Sequence, residues 1–549
     1  MSKSGAREAA IDYLKPLFEA GARDPETAGI LAGVYKDQFK LSTDTHFASK
    51  SLEIYQQNYI KDKSYYTGIN AATMNQITGS GQKAKEIAGE VIEQIGTPAD
   101  SDYWAIATLA EAHLLKKQTD EAVKFYQLAA KVGKGQFGQL NSTYGQLLLL
   151  KNYILVPNSV MKLFSPPGIA AFTGHMIDHN RQVPRFPAAI SSQIGEQIKQ
   201  KLVDEDILIG YSSLACGSDI LFAEGLLELG GELNIFLPYA KNDFLKTSVE
   251  FAGEEWVQRF EEVLEKCNLT YITEERFFND DVLYEFLGKV IIGSSILRSD
   301  LMYSRPVLLS VLSESDATKK VGGTKSVIDL WPFESNRINI NPDHLLSVPP
   351  VEIEEEINDS KSSVDQPIKR KIRYILFADI VGFSKLEEEQ TPQFMHILLK
   401  KISDELDDYP RPGILNTWGD SIFAIYRNAK FTVEFAMRLK QIFKETDWAK
   451  NGLPSDLKIR IALHAGPVFV GKDPLTNKMN AYGSHINRAA RMEPVAIPGL
   501  IYASNQFASA LVAECPQEYE INHVGIIRLA KDYGTQEVYM IDRKKKTNY

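Results

Sequence analysis

Cysteine is scarce in this chain. Only Cys216, Cys267 and Cys515 occur in 549 residues, too far apart for a zinc spacing or a disulfide framework. A reducing compartment, the cytoplasm, is the expectation that follows. No run of about 18 apolar residues occurs, and the opening MSKSGAREAAIDYLK lacks a signal peptide's apolar core. The expectation is a chain that is neither secreted nor membrane-spanning. Positive charge is also short: Lys and Arg number 61 against 71 Asp and Glu, a net charge of −10. That balance argues against a broad footprint for DNA, RNA or an anionic membrane. What remains is ordinary for a globular protein, 44% hydrophobic and 24% charged. The length suits about three or four domains.

Residues 1–155 read as helices. In DYWAIATLAEAHLLKKQTDEAVKFYQLAAKVG, Leu109 and Ala110 lie on one helix, and Ala122, Tyr126 and Ala129 follow at i, i+4, i+7 on the next. Small residues let the two helices approach, and Tyr126 fills the groove between them, as in a tetratricopeptide-type repeat. A plain helical bundle is the alternative. The region also resembles the helices that precede the kinase in some mitogen-activated kinase kinase kinases, and it is the expected place for a protein partner.

Residues 166–345 change character. GIAAFTGH is a buried strand, ILIGYSSLACGSDILFAEGLLELG is strand, small-residue loop and helix, and ELNIFLPY is another strand. That alternation predicts a doubly wound parallel sheet, a Rossmann-like α/β domain. Ligands of such sheets lie at the carboxyl ends of strands, so Gly174, His175, Cys216, Gly217, Ser218 and Asp219 line a candidate crevice for a small molecule or nucleotide. The loop GYSSLACGSD resembles that of the family that includes the DNA-processing and "lonely guy" proteins. Residues 348–369, acidic and then Ser/Asp-rich, read as a linker.

The last domain, 370–543, carries the chemistry. RYILFAD is a strand closed by Asp379, and ILNTW and SIFAIY form a hairpin whose Gly419-Asp420 turn presents a second carboxylate. Two carboxylates delivered by neighbouring strands make a hard-oxygen site for Mg²⁺ or Mn²⁺, the escorts of triphosphates. Ser384 and Glu387 form a capping-box pattern that leaves the amides of Gly382, Phe383 and Ser384 open to phosphate. KIRIALHAGPVFVG reads as strand, turn, strand, and NAYGSHINRAARME opens a helix with Ser484 as cap. Asn487 and Arg491, four apart, project from one face of that helix and could grip a ribose and a phosphate.

The ordered strings FADIVGFS, GDSIFAIY, IALHAGPVFVG, YGSHINRAARME and PGLIYAS resemble the class III adenylyl/guanylyl cyclase catalytic domain over nearly all of 370–543. The resemblance implies a ferredoxin-like α/β fold, a head-to-tail homodimer with sites at the interface, and two Mg²⁺ or Mn²⁺ ions per site. It implies that Asp379 and Asp420 are the metal carboxylates and that Ile380 adds a backbone carbonyl. Asn487 would position the ribose, Arg491 would stabilise the transition state, and Lys531 in RLAKDYG, or else Arg528, would hold the pyrophosphate. The chain departs from the family at the base-reading pair. Where cyclases of ATP have Lys and Asp, it has Asn416 and Asn480. An amide offers a donor and an acceptor side by side, a match for the O4 and N3–H edge of uracil or the corresponding edge of cytosine. Bacterial relatives that make cyclic pyrimidine nucleotides in anti-phage signalling show similar departures. UTP, ahead of CTP, is the expected substrate; an ATP-specific cyclase regulated by its N-terminal half and a non-catalytic nucleotide-sensing scaffold are the alternatives.

Overall fold

The computed structural model describes residues 7–19, 25–179, 181, 183–279, 281–314, 323–346, 370–407 and 409–544. The linker expected at 348–369 lies outside the described residues. The chain divides into two compact units, Met1–Pro166 and Pro167–Tyr549. Among the described residues, no helix is long and apolar enough to cross a membrane.

The first unit is helical: α1 (Arg7–Glu19), α2 (Pro25–Ser42), α3 (Thr45–Asp62), α4 (Tyr65–Ile77), α5 (Gly81–Ile95), α6 (Tyr103–Leu115), α7 (Thr119–Val132), α8 (Phe137–Leu150) and α9 (Asn158–Phe164). Asp44 caps α3 by accepting the His46 amide at 2.9 Å, and Asp102 caps α6 by accepting the Ala105 amide at 3.1 Å. The helices stack as successive pairs, α2 on α3, α4 on α5, α6 on α7. Leu109, Ala110, Ala122, Tyr126 and Ala129 are all buried, and the Tyr126 ring meets Phe164 edge-on. A buried polar ladder crosses alternate helices. Lys36 Nζ on α2 donates to Asn70 Oδ1 on α4 (3.0 Å) and Gln146 Oε1 on α8 (2.8 Å), and Gln146 Nε2 donates to Glu111 Oε1 on α6 (2.7 Å). Burial lowers the Lys36 ammonium to about 8 and raises the Glu111 carboxyl. Because unpaired buried charge is costly, these bonds tie the helix pairs to one register.

The second unit holds two sheets. The first comprises β1 (Gly168–Gly174), β2 (Ile207–Ser212), β3 (Glu232–Leu237), β4 (Asn268–Tyr271), β5 (Pro306–Val311) and β6 (Arg337–Ile340). Its helices are α10 (Ser191–Asp204), α11 (Ser218–Glu228), α12 (Lys241–Ser248), α13 (Glu254–Leu264), α14 (Val282–Leu301) and α15 (Thr324–Asp329). All strand pairs are parallel, in the order β4-β3-β2-β1-β5-β6. Residues 168–172 of β1 are buried without a break, the mark of a strand covered on both faces.

The second sheet contains β7 (Arg370–Val381), β8 (Ile414–Trp418), β9 (Ser421–Tyr426), β10 (Lys458–Lys472), β11 (Met479–Tyr482), β12 (Ile501–Ser504), β13 (Tyr519–Arg528) and β14 (Thr535–Arg543). With it are α16 (Gln390–Asp407), α17 (Ala429–Glu445), α18 (Ser484–Met492) and α19 (Asn505–Glu514). The order is β13-β14-β12-β10-β7-β9-β8, with β11 on β10. KIRIALHAGPVFVG, expected as strand, turn, strand, is instead a single strand, β10. Its antiparallel pairing with β7 runs straight through Pro467, which lies opposite Ile372. On the other edge β12 pairs with residues 461–463 and β11 with 469–472, so Pro467 falls in the gap, where a missing N–H costs no ladder bond.

Candidate active site

β7 sits between β10 and β9, and its apolar core of Tyr374, Ile375, Leu376 and Ala378 is buried. Asp379 follows that core at the point where its two cross-strand partners are Ser421 on β9 and Arg460 on β10. Both partners bond it: the Ser421 hydroxyl donates to Oδ1 at 3.1 Å, and Arg460 Nη2 donates to Oδ2 at 2.6 Å. Asp420 occupies the two-residue turn between β8 and β9, after Gly419 at φ 62. It immediately precedes Ser421, so the β7–β9 register brings the two carboxylates together. Burial, and then the Asp379 charge, raise the Asp420 carboxyl, while Arg460 opposes them.

A third acid joins this cluster. Glu493 starts the short turn after α18, and its Oε1 lies 3.0 Å from Arg460 Nε without hydrogen-bond alignment. Burial pushes the Glu493 carboxyl up to about 7, with Asp379 and Asp420 adding to the rise and Arg460 opposing it. Sequence reasoning missed Arg460 and Glu493. The available signal was a lone guanidinium inside an apolar strand, and its partner became visible only through the register. Three acids gather around one arginine, and Glu493 Oε1 is buried beside Arg460 without an aligned hydrogen bond. Among the described residues, no three metal-binding side chains converge on one position. A cation here would be held by two carboxylates and completed by phosphate oxygens, the usual Mg²⁺ arrangement. Ile380 follows the last β7 residue paired with β9, so its main chain is outside that ladder.

The loop expected to receive phosphate differs from its expected form. Ser384 does not cap a helix; it is exposed within a short turn, Phe383–Lys385, and α16 begins at Gln390. The Gln390 side chain folds back to accept the Glu387 amide at 3.1 Å, a role that displaces the Ser384–Glu387 box. Gly382 is left-handed at φ 95. The turn's bonds run from the amides of Lys385 and Leu386, leaving those of Phe383 and Ser384 at its open end.

Helix α18 carries Asn487, exposed, and Arg491, half-buried, while His485, Ala489 and Met492 face the core. Its N-cap is Gly483 at φ 135 rather than Ser484, whose hydroxyl instead donates to Glu275 Oε1 at 2.7 Å. His485 stacks on His464 and shares a 2.8 Å bond with it, and His464 bonds the Ser504 hydroxyl at 2.7 Å. Burial lowers both imidazoles, His485 to about 3, so the relay is neutral. A Cβ at Gly466 would fall 2.2 Å from His485 Nδ1, so only glycine admits the stack.

Asn416 is half-buried on the edge strand β8, which runs close to β11. Asn480 on β11 is already engaged: its Nδ2 donates to Asp473 Oδ2 at 3.4 Å and its Oδ1 accepts the Ala481 amide. Lys531 is exposed in a left-handed kink at φ 58, whereas Arg528 is paired with Asp532 at 2.9 Å. No hydrogen bond or ion pair among the described residues joins Asn487, Arg491 or Lys531 to the two aspartates.

The first sheet's expected crevice is folded onto itself. Cys216 and Ser218 are fully buried, the Ser218 hydroxyl donates to the His175 carbonyl at 2.8 Å, and the Ala215 amide donates to Asp219 Oδ2 at 3.2 Å. Gly174 and Gly217 are needed there: a Cβ would lie 2.1 Å from Ser218 Oγ and 2.8 Å from the Ile177 nitrogen, respectively.

Residues 371–543 match the family model of the adenylate and guanylate cyclase catalytic domain, and residues 1–75 match that of the Tetratricopeptide Repeats-Sensor. Guanylate cyclase 2G of Mus musculus is 30% identical over 181 residues, 31% of this chain and 16% of the mouse protein. Receptor-type guanylate cyclase gcy-28 of Caenorhabditis elegans is 28% identical over 179 residues, 30% of this chain and 14% of the worm protein. The adenylyl cyclase CyaB from P. aeruginosa aligns with 32% of this chain and 97% of its own at 21% identity and a TM-score of 0.30. The matched segment is thus a small part of the two animal relatives. The C-terminal segment carries the sequence of a class III adenylyl/guanylyl cyclase catalytic domain, and the helical unit opens with that of tetratricopeptide-like sensor repeats.

Proposed function

We propose that the protein is a nucleotide cyclase that converts UTP to 3′,5′-cyclic UMP and pyrophosphate. The observation that carries the cyclase reading is the juxtaposition of Asp379 and Asp420 within a segment matching cyclase catalytic domains. Two Mg²⁺ or Mn²⁺ ions, held by these carboxylates and the Ile380 carbonyl, would supply charge neutralisation and a more acidic ribose hydroxyl. The ribose 3′-hydroxyl gives its proton to water as its oxygen bonds to the α-phosphorus; the bond from that phosphorus to the oxygen bridging to the β-phosphate breaks, and pyrophosphate leaves with the electron pair. Asn487 orients the ribose, Arg491 offsets charge on the α-phosphate and Lys531 holds the leaving group. The open amides of Phe383 and Ser384, beside left-handed Gly382, receive phosphate oxygens. Removing one such preorganised donor typically costs about 3 kcal/mol of transition-state stabilisation.

A head-to-tail homodimer, in which each copy completes the other's site, is the assembly that the resemblance to cyclase catalytic domains implies. The chain β7–α16–β8–β9–α17–β10, with strand order β10-β7-β9-β8, supports the ferredoxin-like reading of this domain. The all-parallel first sheet supports the Rossmann-like reading of 166–345. The helical repeats are the surface for a protein partner.

Base choice rests on Asn416 and Asn480. Neither supplies the charge an adenine-reading Lys–Asp pair would, and Asn480 keeps one amide hydrogen free of Asp473 for a pyrimidine carbonyl. A cyclic pyrimidine messenger, made in the cytoplasm for antiviral defence, is the biological role this chemistry supports. Purified protein incubated with Mn²⁺ and each of the four triphosphates tests the reading. Cyclic UMP is the expected product; exclusive cyclic AMP would make it an adenylyl cyclase, and no product from any triphosphate would leave only a sensing scaffold.

A further inference from the structure

Helix α18 is held at its first residue by a side chain from the other sheet of the same unit. Glu275 lies in the loop after β4, nearly one hundred residues before β7 begins. Its carboxylate is shared: Oε1 accepts the Ser484 hydroxyl at 2.7 Å, and Oε2 accepts Arg370 Nη1 at 3.2 Å. Arg370 is the first residue of β7 and its side chain is only 1% exposed; Nη2 also donates to the Arg276 carbonyl at 3.2 Å, and the guanidinium covers the Phe278 ring at 4.7 Å. The loop is fixed from behind. The Ala240 amide donates to the Glu275 carbonyl at 3.0 Å, and the Phe277 amide donates to Asp243 Oδ2 at 2.9 Å. Ala240 and Asp243 stand where β3 passes into α12, so the loop is anchored at the carboxyl ends of β3 and β4 together.

We propose that Glu275 is a positioning residue for helix α18, joining the carboxyl edge of the parallel sheet to the helix that carries Asn487 and Arg491. This rests on the cyclase reading given above. A charged acceptor aimed at the first residue of a helix fixes where that helix starts and how it is rotated, and Asn487 and Arg491 lie one and two turns further on. A second, separate contact joins the same two sheets' helices: Gly293 of α14 lies so close to α19 that a Cβ would fall 2.0 Å from the Ser509 carbonyl oxygen, and Lys289 pairs with Glu514 at 3.3 Å. That contact docks the layers, but it touches α19 rather than α18. Glu275 is the link to the catalytic helix itself.

The test uses the full chain and two readouts, hydrogen exchange of the amides in 484–492 and steady-state turnover with Mn²⁺ and UTP. Glu275→Ala and Ser484→Ala should each speed exchange in that helix about tenfold, the amount a hydrogen bond to a charged group contributes. Both should lower kcat with little change in KM, and the double variant should be no worse than Glu275→Ala. Glu275→Gln, which keeps one acceptor oxygen for Ser484 but loses the charge that faces Arg370, should recover part of the loss in helix exchange. Lys289→Ala should leave exchange in 484–492 at the wild-type rate. Unchanged exchange in Ser484→Ala, additive losses in the double variant, or equal loosening by Lys289→Ala would overturn the role of Glu275. A wild-type protein that makes no cyclic nucleotide would refute the cyclase reading, while the exchange measurements would still decide the link to helix α18.

Discussion

Gly466→Ala puts one methyl group where β10 passes beneath helix α18. The added carbon would sit 2.2 Å from His485 Nδ1 and 2.6 Å from its Cγ, both far inside contact distance. β10 is pinned on its β7 edge at this position, with Gly466 opposite Arg373, so the backbone cannot retreat and the imidazole must. His485 then loses its 2.8 Å bond to His464, and His464 becomes a buried imidazole bonded only through Ser504. Overpacking costs about 1–3 kcal/mol and a broken buried hydrogen bond about 1–2 more, so roughly 3–4 kcal/mol is expected. At about 2 cal/mol/K of unfolding entropy per residue, a unit of this length should lose roughly 4 °C in Tm. Displacement of His485 also shifts the helix that bears Asn487 and Arg491, so kcat should fall by about tenfold or more. Calorimetry with a turnover assay checks both. A variant with wild-type Tm and wild-type kcat would refute the close-packed account of this helix.

Asp379→Ala should abolish turnover while the chain stays folded, because its loss removes one of two cation-holding carboxylates; a variant that still cyclises at the wild-type rate would refute the assignment. Glu493 has a carboxyl raised to about 7, above its unfolded value, so the folded state binds the extra proton between the two. Stability should therefore fall as pH rises through roughly 5 to 7, and Glu493→Gln should flatten that slope in Tm-versus-pH scans. Tyr126→Ala should cost about 3–5 kcal/mol, since the ring is fully buried between helices, and urea melts of the first unit would show it. Lys531→Ala should reduce kcat by about a hundredfold without changing the fold, as read by product formation.

Much of this molecule was legible in its sequence, for local reasons. Asp379 ends an apolar run and Asp420 occupies a Gly-Asp turn between two short strands, so spacing and turn chemistry placed both. The α6–α7 pair was visible because Ala122, Tyr126 and Ala129 follow a helical period. The misreadings came from local signals that tertiary pairing overrode. Gly466-Pro467 looks like a turn until β7 is laid alongside it, and Ser384 looks like a cap until Gln390 takes the helix start. Arg460, Glu493 and Glu275 carried almost no sequence signal, because their partners are set by strand register and by packing between distant segments.

The proposed role of Asp379 and Asp420 is to hold divalent cations against a triphosphate. It is tested most directly by counting Mn²⁺ bound to the full chain by electron paramagnetic resonance, with 3′-deoxy-UTP present so that no cyclisation occurs. The account predicts triphosphate-dependent binding of about two ions per site, reduced in Asp379→Ala and in Asp420→Ala. Equal Mn²⁺ binding in the wild type and both variants would contradict it.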